Sequence, residues 1–382
     1  MAGFMGYVGF TLVMPFLPLY ITQLGVTDVD AVALWTGLSL GATPAITMFS
    51  APLWGRVGDR YGSKLLVMRS LGAFVLCIGG MAFVSTVWQL FALRALLGLF
   101  AGYGALTISM AAESAPRDRM TEAIGMVQMG QRLGPAFGPV IGGLLAPVVG
   151  LRAAFLVAAA TYLLAVLYVW WRYVEPGTRQ AKAAGPQVPF RTVLAMPSFA
   201  ICLAVILGFQ LVDRSFGPIL PLFVRELGVA TGRVPLVSGL LFSLSAVCGA
   251  AGHKWAAPLG ARHPARRLMV WSAAAGAVAI AVFVVTHDLW VLAAATVVFS
   301  VATGVAMTAA YATAGRRLPG DAHAAGFGLL SSASLAGLAI SPIVAGFVAG
   351  ASLRTVFAVG AALLVAVGVL VATRMREDAD AA

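Results

Sequence analysis

The amino-acid sequence predicts an all-α polytopic membrane protein with about twelve transmembrane helices. Of its 382 residues, 60% are hydrophobic and only 10% are charged. A soluble protein of this size would lack the polar residues needed to cover its surface. Apolar stretches of roughly 20 residues, the length that one bilayer-spanning helix needs, follow one another from the first residues to the last. The composition therefore excludes a soluble globular domain.

Short polar breaks separate the individual spans. The first stretch has no basic n-region and no clear cleavage site, so we interpret it as a retained span and not as a signal peptide. The predicted spans lie near residues 3–22, 32–54, 65–84, 88–111, 121–146, 150–171, 197–224, 234–256, 267–286, 289–311, 325–349 and 353–373. The longest polar interval, 172–196, predicts a cytoplasmic linker between a domain at 1–171 and a second at 197–382.

The distribution of basic residues predicts the orientation. Net charge is +11, and with a cytoplasmic N-terminus 18 of the 25 Lys and Arg residues fall in cytoplasmic segments. This asymmetry follows the positive-inside rule and is typical of a bacterial inner-membrane protein with both termini in the cytoplasm. The basic excess is thus a topology signal. The expected partner is the lipid bilayer, and no nucleic-acid partner is expected.

The two halves of the chain are repeats. The segment FTLVMPFLPLYITQLGV (10–26) matches DRSFGPILPLFVRELGV (213–229) at an offset of 203. The offset also relates Gly125 to Gly328, Pro139 to Pro342 and, after a slip of one residue, Arg152 to Arg354. Each half contains six spans, so both halves enter the membrane in the same direction. The repeat predicts two pseudo-symmetric six-helix bundles with a substrate site near the membrane midplane.

The segment after the second span reads GRVGDRYGSK (55–64). It resembles the major facilitator signature G-x-x-x-D-R-x-G-R-K, with Ser63 in place of Arg. The resemblance implies a conformational gate made of Gly55, Gly58, Asp59, Arg60, Gly62 and Lys64. In that family the Asp contacts a helix N-terminus in the other half, here near residues 325–328. In the second half Arg262 replaces the acid, so the gate would be asymmetric; the alternative is an ordinary solvated basic turn.

The fifth span carries a stripe of small residues, since glycine recurs every fourth position in GQRLGPAFGPVIGG. Such a stripe lets helices pack closely, and generic packing is the plain alternative. The run also resembles the antiporter signature G-x-x-x-G-P-x-x-G-G of exporters in the same superfamily. The matching residues are Gly134, Pro135, Gly138, Pro139, Gly142 and Gly143. This resemblance favours export over import.

The fourth span resembles a third signature, L-x-x-x-R-x-x-Q-G, through Arg94 and Gly98, with Leu97 in place of Gln. An Arg inside a span is costly and is expected to line a cavity or to extend to the outer interface. Together these motifs resemble the twelve-span drug/proton antiporters of the major facilitator superfamily. The resemblance implies proton-coupled export of amphipathic organic compounds by alternating access. It also implies a functional monomer that is not an enzyme and uses no cofactor.

Two charges, Asp213 and Arg214, interrupt the seventh span, and Gln210 shares their helix face. One charge near the bilayer centre costs about 3 kcal/mol, so the presence of two charges in this span indicates a structural or functional role for them. Asp213 is predicted either to form a structural ion pair with Arg214, Arg94 or Arg132, or to carry protons. The predicted proton-coupling group is Asp213, Arg94 and Arg214.

The expected substrate surface combines polar, Met and aromatic side chains of several spans, because such groups adapt to varied apolar ligands. Simple helix packing is the alternative for each residue. The candidates are Tyr7, Met14, Gln128, Gln131, Gln210, Phe242, Thr303 and Met307. No phosphate-binding loop occurs, and the four histidines lie at span ends or in loops without metal-ligand spacing, so no metal is expected. A metabolite facilitator, a symporter, or a membrane scaffold or receptor is the alternative function.

Overall fold

The structure is a computed structural model that describes residues 2–61, 63–102, 107, 110, 120–173, 197–317 and 323–375. All regular structure in these ranges is helical. The α-helices are α1 (Ala2–Leu12), α2 (Leu17–Gln23), α3 (Val29–Tyr61), α4 (Ser63–Gly80), α5 (Val87–Phe100), α6 (Met120–Val149), α7 (Leu151–Arg172), α8 (Pro197–Glu226), α9 (Val234–Gly260), α10 (Ala265–Val285), α11 (Leu289–Arg317), α12 (His323–Val348) and α13 (Leu353–Arg374).

The described helices account for the predicted number of spans. Nine segments of these ranges are long and apolar enough to cross a membrane, the first of them Gly3–Gln23, which joins α1 and α2. Three shorter apolar stretches, in α5, α6 and α12, bring the total to twelve. The prediction of a twelve-helix membrane protein is therefore confirmed.

The first span is broken where its repeat counterpart is continuous. A 3-10 turn, Met14–Phe16, separates α1 from α2 next to Pro15 and Pro18. The equivalent Pro218 and Pro221 lie inside the unbroken α8. Proline lacks the backbone donor and disfavours a helix interior, but neighbouring helices in a membrane protein tolerate it. The same two prolines thus give different local structures in the two halves.

The chain divides into two compact units. Unit 1 comprises Met1–Lys182 and Gly217–Ser243, and unit 2 comprises Ala183–Phe216 and Leu244–Ala382. The C-terminal part of α8 and the N-terminal part of α9 therefore pack within unit 1, although they belong to the second repeat. The predicted linker lies outside the described residues from residue 174 onward.

Each unit contains the same helix contact at the repeat offset. In unit 1, Gly134 of α6 lies directly against Tyr7 of α1. In unit 2, Gly337 of α12 lies against Gln210 of α8, where an added Cβ would be 2.6 Å from the Gln210 Cβ. Both pairs differ by 203 positions. The internal repeat is thus visible as a shared packing register.

Basic side chains join the ends of α4 and α7 in unit 1. At one end the Lys64 ammonium donates to the carbonyl oxygens of Trp170 (3.2 Å) and Tyr173 (2.5 Å). At the other end Arg152 Nη2 donates to the Val84 carbonyl oxygen at 3.3 Å. Each cation lies where a helix ends, at carbonyls that lack an intrahelical partner. We call these ties the basic clamps.

The second repeat has its own basic clamps between α10 and α13. Arg266 Nη2 donates to the carbonyl oxygen of Ala372 near the end of α13. Arg354 Nη1 donates to the carbonyl oxygens of Val284 (2.6 Å) and Thr286 (3.1 Å) at the end of α10. Hydrogen bonds from charged donors are stronger than neutral ones, so these contacts fix both ends of the helix pair.

Candidate functional site

The two charges of α8 form one polar cluster with Gln210. Arg214 Nε lies 3.4 Å from Asp213 Oδ2 and donates to Gln210 Oε1 at 3.3 Å. The side chains of Arg214 and Asp213 are 39% and 23% exposed. Of the bases considered as partners for Asp213, Arg214 lies beside it, and the side chain of Arg132 lies outside the described residues. The partial exposure leaves the carboxylate accessible to a small ion or a proton.

Asp213 occupies an unusual place among the acids of the described helices. It lies near the middle of α8, whereas the other helical acids lie within one turn of a helix end: Asp30, Asp59, Glu122 and Glu226. A carboxylate deep in a transmembrane helix is costly and marks a functional group by default. The position therefore supports a role for Asp213 in binding a proton or a cation.

The glycine stripe of α6 packs on α1. A Cβ at Gly138 would overlap the Thr11 hydroxyl, and one at Gly142 would overlap the Leu12 carbonyl oxygen. Thr11 Oγ1 also donates to the Gly134 carbonyl oxygen at 3.3 Å. Because these side chains are absent, the two backbones approach each other as closely as in small-residue membrane helix contacts.

The same motif contacts α9 on its other side. A Cβ at Gly143 would lie 2.5 Å from the Pro235 carbonyl oxygen, and one at Gly239 would overlap the Pro139 carbonyl oxygen. We call Pro139, Gly143, Pro235 and Gly239 the α6–α9 seam. All four residues belong to unit 1. The seam therefore joins helices of the two repeats at the end where the connection between α8 and α9 lies.

Arg94 is buried inside unit 1, with only 1% of its surface exposed. Its carbonyl oxygen accepts a hydrogen bond from Thr43 Oγ1 at 2.8 Å. Among the described residues, its Nε and Nη2 atoms have no hydrogen-bond partner. Arg94 therefore neither extends to the interface nor lines an open cavity, contrary to both expectations. A buried guanidinium with open donors destabilises a fold, which points to a function.

Replacement of Arg94 by Met is expected to raise the thermal stability of the purified protein and to lower its transport activity. Met fills a similar volume without a desolvated charge, which stabilises such sites by roughly 1–4 kcal/mol. Thermal unfolding in detergent and transport in liposomes measure the two effects. Arg152→Met is the control, because Arg152 uses its guanidinium as a donor and its loss is expected to destabilise. Unchanged transport in Arg94→Met would show that Arg94 has no transport role.

Most of the predicted gate cannot be described at the level of side chains. The backbone of α3 continues as a helix through Gly55, Gly58, Asp59 and Arg60 to its end, but their side chains, and the whole of Gly62, lie outside the described residues. The described member, Lys64, caps the end of α7 as part of a basic clamp. The gate itself stays a prediction.

Arg69 lies within α4, inside the span predicted near residues 65–84. Its guanidinium carbon is 3.3 Å from the centroid of the Trp54 ring, and Nη2 donates to the Phe100 carbonyl oxygen at 3.1 Å. Trp54 Nε1 donates to the Leu99 carbonyl oxygen at 2.7 Å. The cluster combines a cation–π contact with capping of the end of α5. A lone Arg beyond the first turn of α4 is the sequence signal for it.

His253 was expected at a span end, but it lies two turns inside α9. Its Nδ1 is 2.8 Å from Thr308 Oγ1 on α11. The backbones of the two helices approach closely there: a Cβ added at Gly304 would lie 2.7 Å from the backbone nitrogen of His253. Within the described residues, no group of three or more His, Cys, Asp or Glu is arranged to hold a metal ion.

The candidate substrate residues fall in both units. Those in unit 1 are Tyr7, Met14 and Phe242, and those in unit 2 are Gln210, Thr303 and Met307. All are half-buried except Met307, which at 9% exposure is buried in helix packing. Thr303 Oγ1 donates to the Phe299 carbonyl oxygen on its own helix at 2.9 Å. The side chains of Gln128 and Gln131 lie outside the described residues.

The whole chain matches one protein family. The profile of the Major Facilitator Superfamily matches residues 1–256 and 234–381. The multidrug resistance protein MdtG of Proteus mirabilis is 33% identical over 247 residues, which cover 64% of this chain and 61% of that protein. MdtG of Yersinia enterocolitica is 38% identical over 251 residues, which cover 64% and 59%. The chain thus spans about three fifths of the relatives that it matches.

Two solved structures share the fold. The nucleoside transporter NupG has a TM-score of 0.77 at 15% identity, covering 98% of this chain and 99% of that chain. A bacterial homolog of the human lysosomal transporter Spinster, in an inward-facing and occupied conformation, has a TM-score of 0.74 at 16% identity, covering 97% and 92%. At these identities the likeness concerns the fold alone.

Proposed function

Since this chain belongs to the major facilitator superfamily, we propose that it exports amphipathic organic compounds across the membrane in exchange for protons. The observation that carries the proton coupling is the position of Asp213, the acid farthest from a helix end among the described helices. Export is supported by the antiporter-type motif of α6 and by the multidrug resistance proteins among the relatives.

Asp213, Arg214 and Gln210, which we call the α8 cluster, supply a mechanism for coupling substrate export to proton entry. Ionised Asp213 pairs with Arg214, which also bonds Gln210. A proton on Asp213 removes the negative charge, so the balance of charge on this helix face changes by one unit. A cationic substrate and a proton would then compete for the same carboxylate. This competition gives exchange without a covalent step.

The α6–α9 seam supplies the conformational element. Its contacts are close packing of glycines against backbone carbonyls of the neighbouring helix. We propose that the seam opens and closes during alternating access and that the halves rock around a midplane site. The proposed substrate contacts of unit 1 are Tyr7, Met14 and Phe242. The protein would work as a monomer in a bacterial inner membrane, with both termini in the cytoplasm.

Liposomes with an imposed pH gradient test the proposal. The substrate is a fluorescent quaternary ammonium compound, which carries a permanent charge and is not trapped by protonation. The membrane potential is clamped with potassium and an ionophore. An antiporter is expected to accumulate the compound on the acidic side, because protons leave that side. Accumulation on the alkaline side would indicate symport, equilibration without accumulation would indicate a facilitator, and no movement of any compound tested would favour a scaffold.

A further inference from the structure

A groove of about 310 Å³ lies at the end of α9 in unit 2. Its lining residues are Trp255, Pro258, Leu259 and Arg262. They follow the spacing i, i+3, i+4 and i+7, so they share one face of the helix end and the turn after it. The groove thus has an apolar wall that leads to a cationic rim.

Two tryptophans place this groove at a membrane interface. Trp255 on α9 and Trp271 on α10 are 52% and 51% exposed. Each lies five or six residues from the turn that joins the two helices, hence at a similar depth. Half-exposed tryptophans are typical of the boundary between acyl chains and headgroups. The end of α9 at Gly260 lies about 7.5 Å beyond Trp255 along the helix axis, and Arg262 follows in the turn, at the level expected for lipid phosphates.

The electrostatics of the turn favour an anion. The sequence contains no acidic residue between Glu226 and Asp288. Lys254 and Arg262 are exposed, and among the described residues neither has a side-chain hydrogen bond or an ion-pair partner. A basic pocket beside apolar helix surface is the arrangement that binds phospholipid headgroups.

We propose that this groove binds an anionic phospholipid such as phosphatidylglycerol. Arg262 contacts its phosphate, and the first methylenes of its acyl chains lie on Trp255 and Leu259. Lys254, exposed beside Trp255, adds positive charge next to the groove. The site is specific to the second repeat. At the aligned positions of the first repeat, Asp59 replaces Arg262, Pro52 replaces Trp255 and Met68 replaces Trp271.

Native mass spectrometry of the delipidated full-length chain, titrated with phosphatidylglycerol or phosphatidylcholine, tests the proposal. The wild-type protein is expected to retain phosphatidylglycerol preferentially. K254Q combined with R262Q is expected to weaken this binding roughly thirtyfold, because each basic residue near the headgroups contributes to it. R225Q combined with R233Q is the matched control, since it removes the same charge from the last turn of α8 and the turn before α9, on the other side of the membrane helix. Equal loss in both double variants, or no preference in the wild-type protein, would overturn the proposal.

A second measurement does not depend on how well the charge variants fold. Brominated phosphatidylglycerol is expected to quench tryptophan fluorescence more than brominated phosphatidylcholine, and W255F is expected to remove most of this difference. Equal quenching by the two lipids contradicts the proposal. Displacement of the lipid by millimolar inorganic phosphate would identify a site for free anions and would equally overturn it.

Discussion

Substitution of Asp213 by Asn is expected to abolish proton-driven accumulation of the quaternary ammonium compound. Asn preserves the shape of the side chain but binds no proton at the carboxyl position, and Arg214 keeps its hydrogen bond to Gln210. The protein is therefore expected to remain folded and inserted. The measurement is uptake into liposomes under an imposed pH gradient, compared with protein-free liposomes.

Two further measurements make the Asp213 result specific. Exchange of labelled for unlabelled compound at equal pH on both sides needs no net proton movement, and the variant is expected to retain part of it. Glu226→Gln, which removes the acid at the end of the same helix, is expected to leave accumulation intact. Normal accumulation by Asp213→Asn would remove this residue from the coupling mechanism and leave it as a structural ion pair.

Gly239→Ala is expected to destabilise unit 1 and to stop transport. The added methyl group would overlap the Pro139 carbonyl oxygen, which belongs to a helix backbone and has no rotamer that avoids it. Overpacking of this kind lowers the free energy of unfolding by about 1–3 kcal/mol. Thermal unfolding in detergent measures the loss, and liposome uptake measures the effect on alternating access through the α6–α9 seam.

Gly232→Ala is the matched control for this substitution. Gly232 lies seven residues earlier, in the turn that precedes α9, and no atom lies within 4 Å of the Cβ that would be added there. Its stability and transport are expected to equal those of the wild-type protein. If Gly239→Ala behaves like this control, the seam is not closed in the protein that carries out transport.

The sequence pattern was sufficient for the architecture and for the small-residue stripe of α6. Apolar length is a local property of a helix, so the number and approximate positions of the spans were predictable. Their bounds were not, since the span predicted at 32–54 belongs to the longer helix Val29–Tyr61. The offset of 203 relates Gly134 to Gly337, and both pack on the first helix of their repeat. Glycine has no side-chain rotamers, so the surface that packs on a glycine stripe depends only on the path of the helix backbones.

The partners of long side chains were not predictable in the same way. Sequence position says nothing about which carbonyl a flexible cation reaches, so the contacts of Lys64 and Arg69 could not be predicted. Their actual contacts, the end of α7 and the Trp54 ring, depend on how distant helices end beside them. Arg94 shows the same limit, since burial to 1% exposure follows from packing and not from its depth in a span.

The basic clamps have a consequence for how the two halves of this chain can diverge. Each clamp joins a side-chain donor to main-chain oxygens, as Arg354 does with Val284 and Thr286. Any amino acid supplies a main-chain oxygen, so the accepting positions are free to mutate while the donors are not. Selection on these ties should therefore preserve four cationic positions and leave no correlated substitutions at their partners, which makes the ties invisible to methods that infer contacts from paired mutations.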